Sequence, residues 1–129
     1  MATSTAGRVR LITPDQHTQQ TAQTAGFVRQ EIVSAPGVWI GITRTPAGSA
    51  SAWHHHGDYD TYIYLQEGIG RMEFGPRGAE SCDAVVGDVL FIPKGAIHRE
   101  SNTGSGENAA LIIRVGTGEP VFNVAGPED

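Results

Sequence analysis

Four histidines hold most of the chemistry open to this chain: His54, His55 and His56 in one run, and His98 on a second apolar stretch entered through Pro93-Lys94-Gly95. In extended backbone, side chains two apart share a face, so His54 and His56 project together while His55 points away. Two imidazoles on one face are half of a metal site. His98 supplies a third nitrogen if the two strands meet inside one barrel, and Asp60, shortly after His56, adds an oxygen. Three imidazoles and one carboxylate suit a divalent first-row metal, with Fe(II) the natural choice for oxygen chemistry and Mn, Ni, Zn or Cu as competitors; an all-oxygen set would suit calcium or magnesium. In an octahedral arrangement these four ligands leave two adjacent positions for oxygen, water or a chelating substrate. The plainer alternatives are a tag remnant and solvated loop histidines. The run is internal, and His17 is the one other histidine in the chain, so a site is the stronger reading.

Around these residues the chain resembles the cupins, small metal-binding β-barrels. Their first motif reads Gly, five residues, His-x-His, three or four residues, Glu, six residues, Gly, and Gly48, His54, His56 and Gly68 fall on that spacing. The second reads Gly, five residues, Pro-x-Gly, two residues, His, three residues, Asn; Gly87, Pro93, Gly95, His98 and Asn102 match it position by position. The acid of the first motif departs from the pattern. Keeping the six-residue spacing to Gly68 puts Thr61 there, whereas a three-residue gap after His56 puts Asp60 there. Asp is a methylene shorter than Glu, so the metal must sit closer to its strand or the strand must bulge. Asp60 is the expected acid, and Thr61 is the alternative, which leaves a three-histidine site. The same choice sets the pocket, because alternation depends on register: with Asp60 inward, Tyr62 and Tyr64 face a bound substrate, and with Thr61 inward, Ile63 and Leu65 do.

The surrounding sequence predicts the scaffold. With 129 residues, 17 glycines and 7 prolines, the chain suits one domain of short strands and tight turns. Strands are expected over 9–12, 27–33, 38–45, 61–66, 69–74, 89–92 and 109–115, with 120–124 as an edge strand. Residues 61–66 and 69–74 read as a hairpin about Glu67-Gly68. Residues 13–25 read as a covering loop in which Asp15 can cap a short helical turn. The expected architecture is all-β: a jelly-roll barrel of about ten short antiparallel strands, with 1–25 an N-terminal arm and loop and 26–125 a single barrel domain. The cupin resemblance further implies a homodimer formed by pairing N-terminal strands.

Charge and composition narrow the partners. The net charge is −5 and Lys94 is the only lysine, which disfavours nucleic acid and anionic membrane. The longest apolar run, near 109–113, is far too short for a bilayer, the opening residues lack an apolar leader, and the lone Cys82 allows no intrachain disulfide, so a cytosolic protein is expected. Arg29 and Arg44, on strands before the histidines, can anchor a substrate carboxylate. Arg99 and Glu100 read as a surface pair, and Asn102 as a side chain that ties down a loop. Three functions stay open: a mononuclear non-haem iron dioxygenase acting on a small chelating molecule, a redox-neutral decarboxylase or isomerase of a small oxo acid, and a non-catalytic metal or ligand binder.

Overall fold

The computed structural model describes residues 7–20 and 27–127. Their eleven strands form two antiparallel sheets facing each other, and no described helix is long and apolar enough to cross a membrane. In chain order the strands are β1 (Thr18–Gln20), β2 (Val28–Ala35), β3 (Val38–Thr45), β4 (His54–His55), β5 (Asp60–Glu67), β6 (Gly70–Phe74), β7 (Glu80–Ala84), β8 (Val89–Ile92), β9 (His98–Ser101), β10 (Asn108–Val115) and β11 (Phe122–Asn123). The larger sheet runs β1-β2-β3-β10-β5-β8, and the smaller runs β11-β4-β9-β6-β7. This is the expected all-β jelly roll.

Alternation along the central strands explains how the barrel closes. On β5, Thr61, Ile63 and Leu65 are buried while Tyr62 and Tyr64 are exposed; on β10, Ala110, Ile112 and Arg114 face inward. Ile63, Leu65, Met72, Ala84, Ile92, Ala110 and Ile112 form the apolar core at one end. Each large aliphatic side chain buried there contributes about 1.5–3 kcal/mol. Cross-strand pairing sets Trp39, Arg114, Thr61 and Ile92 in one row across the inner face, which brings the polar Thr61 and Arg114 in beside that core.

Several local expectations are corrected. Residues 9–12 form no strand, and Val9 and Leu11 are exposed, because nothing among the described residues pairs with them. The stretch read as loop contains β1, paired to β2, after a single 3-10 turn over Pro14–Gln16. Thr13, not Asp15, is the N-cap residue of that turn, its backbone N–H donating to Gln16. The reading of 1–6 and 21–25 as arm and loop lies outside the described residues. Strands β5 and β6 make no hairpin: β5 pairs β10 and β8, and β6 pairs β9 and β7. The turn at Gly68 instead carries the chain from one sheet to the other. It packs so closely on Asn108 that a Cβ at Gly68 would lie 3.0 Å from that side chain.

Candidate metal centre

Two pairs of side chains, each two residues apart, build the site. His54 and His56 lie at and just beyond β4, and His98 and Glu100 lie on β9. His54 is the cross-strand partner of His98, so the two pairs sit side by side on adjacent antiparallel strands. The ring centroids are 4.3 Å apart for His54 and His98, 4.9 Å for His56 and His98, and 5.0 Å for His54 and His56. One donor atom from each of the four residues lies within 4.8 Å of the others. All three histidines are buried at 2% exposure or less.

Hydrogen bonds orient the rings. The Nδ1 of His54 lies 2.8 Å from the Ala52 carbonyl, that of His56 2.8 Å from Pro120, and that of His98 2.9 Å from Ala96. A carbonyl only accepts, so each Nδ1 carries hydrogen and each Nε2 is left to face the cluster. His56 Nε2 has no hydrogen-bond partner, and His98 Nε2 meets a Glu100 carboxylate oxygen at 3.2 Å. Lone pairs and a carboxylate converging in a buried space call for a cation. The set fits a divalent first-row metal.

Electrostatics follow from the same crowding. Burial raises the pKa of Glu100, but His54 and His98 together outweigh it and hold the carboxyl well below the usual range. Burial lowers the pKa of His54, yet the Glu100 carboxylate more than offsets this and raises it. His56 is pushed down to about 3, by burial first and then by the positive charges of His98 and Arg114. Arg114 falls to about 10, through burial and its neighbour Arg29.

The structure brings together three of the four expected ligands and does not bring Asp60. Its neighbour Thr61 takes the inward position, so Asp60 turns to the other side, where a carboxylate oxygen accepts the Lys94 backbone N–H at 3.1 Å. That bond, with Gly95 N–H donating to the Gly57 carbonyl, stitches together the turns that flank His56 and His98. The carboxylate in the cluster is Glu100. Two residues from His98 on one strand, it was findable by the alternation that pairs His54 with His56. The expected Arg99–Glu100 surface pair does not form: Arg99 points outward, bonds Glu73 at 2.8 Å and lies 4.8 Å over the Trp53 ring. His55 also points away, stacked on Phe122. Asn102 is buried, donates to the Thr45 and Gly106 carbonyls and accepts from Gly104.

The four expected substrate contacts also divide. Tyr62 and Tyr64 lie on the outer face of the larger sheet, because Thr61 sets the phase of β5. Arg44 is outside too, paired with Glu67 at 3.7 Å and Glu107 at 3.3 Å. Arg29 is buried and lines the cavity beside the cluster, together with Phe27, Thr61, Ile63 and Arg114. Arg114, which alternation places on the inner face of β10, is a cavity residue that the strand reading did not single out. Two wider spaces are present, the first sharing Arg114 with the cavity. One of about 250 Å³ is lined by Glu31, Trp39, Tyr59, Arg114 and Pro120. The other, an apolar groove of about 680 Å³, reaches His98 past Met72, Phe74, Phe91 and Ile92.

Comparison with known proteins agrees with this fold. The family model described as Cupin domain matches residues 41–114. Among solved structures, the chain is similar to KdgF from Halomonas sp., with a TM-score of 0.71 at 16% identity over 84% of this chain and 96% of that one. It is similar to the polyketide cyclase RemF from Streptomyces resistomycificus, with a TM-score of 0.74 at 15% identity over 90% of this chain and 85% of that one. A predicted oxalate decarboxylase from Thermotoga maritima gives 0.71 at 18% identity over 84% and 100%. Identities this low show a shared fold. No curated protein sequence matches the chain.

Proposed function

The chain belongs to the cupin domain family, and from that premise we propose that it is a metal-dependent enzyme acting on a small chelating organic molecule, with His54, His56, His98 and Glu100 as the ligands. The carrying observation is the convergence of their four donor atoms within 4.8 Å, with each imidazole Nδ1 already bonded to a carbonyl. A divalent ion held there supplies Lewis acidity, and as Fe(II) it also supplies oxygen chemistry. The ligands come from the smaller sheet, so β2, β5 and β10 of the larger sheet face them with Arg29, Thr61, Ile63, Ile112 and Arg114. These side chains enclose the reacting group, exclude water and set its orientation.

Among the activities such a site supports, a mononuclear iron dioxygenase is the reading we favour, since the nitrogen-rich set suits iron and the enclosing wall protects reactive species from water. A redox-neutral decarboxylase or isomerase of a small oxo acid is the second reading, favoured by the two cationic side chains beside the cluster, which stabilise developing negative charge. Oxygen uptake by the iron-loaded protein, screened with small diketones, phenols and oxo acids, separates the two. Turnover with oxygen consumption supports the first, and turnover without it supports the second. A protein that binds metal and ligand with no turnover is a binder, and the enzymatic reading fails.

We also propose a homodimer in the cytosol. The outer face of the larger sheet exposes Val28, Tyr62, Tyr64, Val89, Phe91 and Val115, a broad apolar surface that a second copy would cover. The single Cys82 leaves no intrachain disulfide that would need an oxidising compartment.

A further inference from the structure

The cavity beside the cluster, at about 10 Å³, has room for little more than a water molecule, so a substrate brings only its reacting end there and lays the rest elsewhere. Of the two wider spaces, the one of about 250 Å³ touches none of the four residues of the cluster. It meets the cavity at Arg114, whose guanidinium carbon is packed 4.9 Å from the Trp39 ring centroid. The apolar groove of about 680 Å³, by contrast, ends on His98. It also shares Met72 and Leu90 with an interior chamber of about 50 Å³, and that chamber shares Glu100 and Ile63 with the cavity. The groove therefore meets the cluster along β9, at His98 directly and at Glu100 through the chamber. Met72, unbranched and deformable, is a wall that yields to a guest.

The groove follows from the topology. β8 ends the larger sheet and β7 the smaller, and among the described residues each pairs on one side only. The groove runs between them, with Leu90, Phe91 and Ile92 on one bank and Met72, Phe74 and Cys82 on the other. Its end wall is the turn over residues 93–97, which is held by the Lys94 N–H on Asp60 and the Gly95 N–H on the Gly57 carbonyl, so the space is built before a guest arrives. No Asp, Glu, Lys or Arg among the described residues lines it. A charged guest would lose its hydration there with nothing to replace it, whereas an apolar one gains by leaving water. The volume lies within the roughly 300–1,000 Å³ of pockets that take small organic molecules.

We propose that this groove binds the apolar body of the substrate, an uncharged, ring-bearing organic molecule whose polar end reaches the cluster. This rests on the reading of the cluster as a metal-dependent active site and names the class of molecule it takes. Phe74 and Phe91, one on each bank, offer their rings to a flat guest.

The test is fluorescence titration of the wild-type protein with phenylnaphthylamine, an uncharged ring-bearing probe, with metal content and sedimentation measured on the same samples. Saturable binding is expected, with emission quenched more strongly in protein loaded with Co(II) than with Zn(II), because the groove ends on His98. Cys82→Glu, which sets a charge on an exposed bank, should weaken the probe at least about 10-fold. Val28→Glu, on the outer face of the larger sheet and away from the groove, should leave it unchanged. Absence of saturable binding in the wild type overturns the proposal, and needs no variant to fold. So does binding that Cys82→Glu leaves intact, or equal quenching with Co(II) and Zn(II). Binding that appears only once dilution has separated a dimer means that a second copy fills the groove, and it overturns the proposal as well. A protein that takes up no metal yet binds the probe with the Cys82→Glu loss upholds the apolar site and sinks the metal reading instead, which keeps the two failures apart.

Discussion

At the scale of the residue, the site is a matter of which side chains are free to offer a lone pair. His54, His56 and His98 each present Nε2 because a backbone carbonyl holds Nδ1. His55 uses its own Nδ1 to accept the Gly57 N–H at 3.0 Å and turns its ring to Phe122. Replacing His54 with Ala should weaken metal affinity by at least about 100-fold, beyond the effect of losing a group that merely orients a ligand. His55→Ala should leave affinity within a few-fold of wild type; competition with a chromogenic chelator measures both. His56 adds a pH effect in the metal-free protein. Its pKa is pushed down to about 3 in the fold, whereas the unfolded chain takes up the proton near 6.5. The unfolded state therefore binds more protons across that interval, and this residue's contribution makes stability fall as pH drops through it. Thermal melts of metal-free wild type and His56→Asn from pH 7 to pH 4 should show the steeper loss in the wild type. The three histidines were legible because a two-residue spacing on a strand fixes a common face. Glu100 was open to the same rule, but a carboxylate beside Arg99 reads as half of a surface ion pair until the phase of β9 is known.

Elements decide what the residues can reach. β4 is only two residues long and would be marginal alone, yet it sits between β9 and β11 and carries the His54–His98 pairing. Its placement depends on loops tied at both ends. Asn102, at 1% exposure, holds the 102–106 loop and the end of β3 through three hydrogen bonds. Asn102→Ala leaves buried backbone groups unsatisfied and should destabilise the fold by about 2–4 kcal/mol in a denaturant titration. Substitution at exposed Glu107, at the end of the same loop, should stay within about 0.5 kcal/mol. Most strands were legible from β-rich runs bounded by glycine and proline; β3 and β8 have the expected limits. What the runs could not convey is partner choice. Adjacent β5 and β6 look like a hairpin because local patterning is silent on which sheet a strand joins, and the jelly roll sends them to different ones. The polar Glu80–Ala84 segment becomes β7 only because β6 offers it an edge. Thr61 faces inward for a similar reason: pairing with Arg114 and Ile92 fixes the phase of β5, and Tyr62 and Tyr64 follow it outward.

For the whole molecule, the two sheets divide the work. The smaller carries the histidine–glutamate cluster, and the larger sets Arg29 and Arg114 on its inner face and an apolar surface on its outer face. Tyr62 stacks on Phe91 at 5.0 Å within that outer surface. If a second copy covers it, Tyr62→Glu should shift sedimentation equilibrium from dimer to monomer while leaving metal content unchanged, since Tyr62 points away from the cluster. A wild-type monomer would remove the dimer from the account without touching the site. If the proposed assignment holds, His54, His56, His98 and Glu100 form the metal centre and Asp60 does not belong to it. The most direct measurement is elemental analysis of metal per chain in wild type, Glu100→Ala and Asp60→Ala, purified in parallel without added metal. Close to one first-row ion per chain is expected in wild type and Asp60→Ala, and a large loss in Glu100→Ala. A metal-free wild type, or a loss confined to Asp60→Ala, would contradict it.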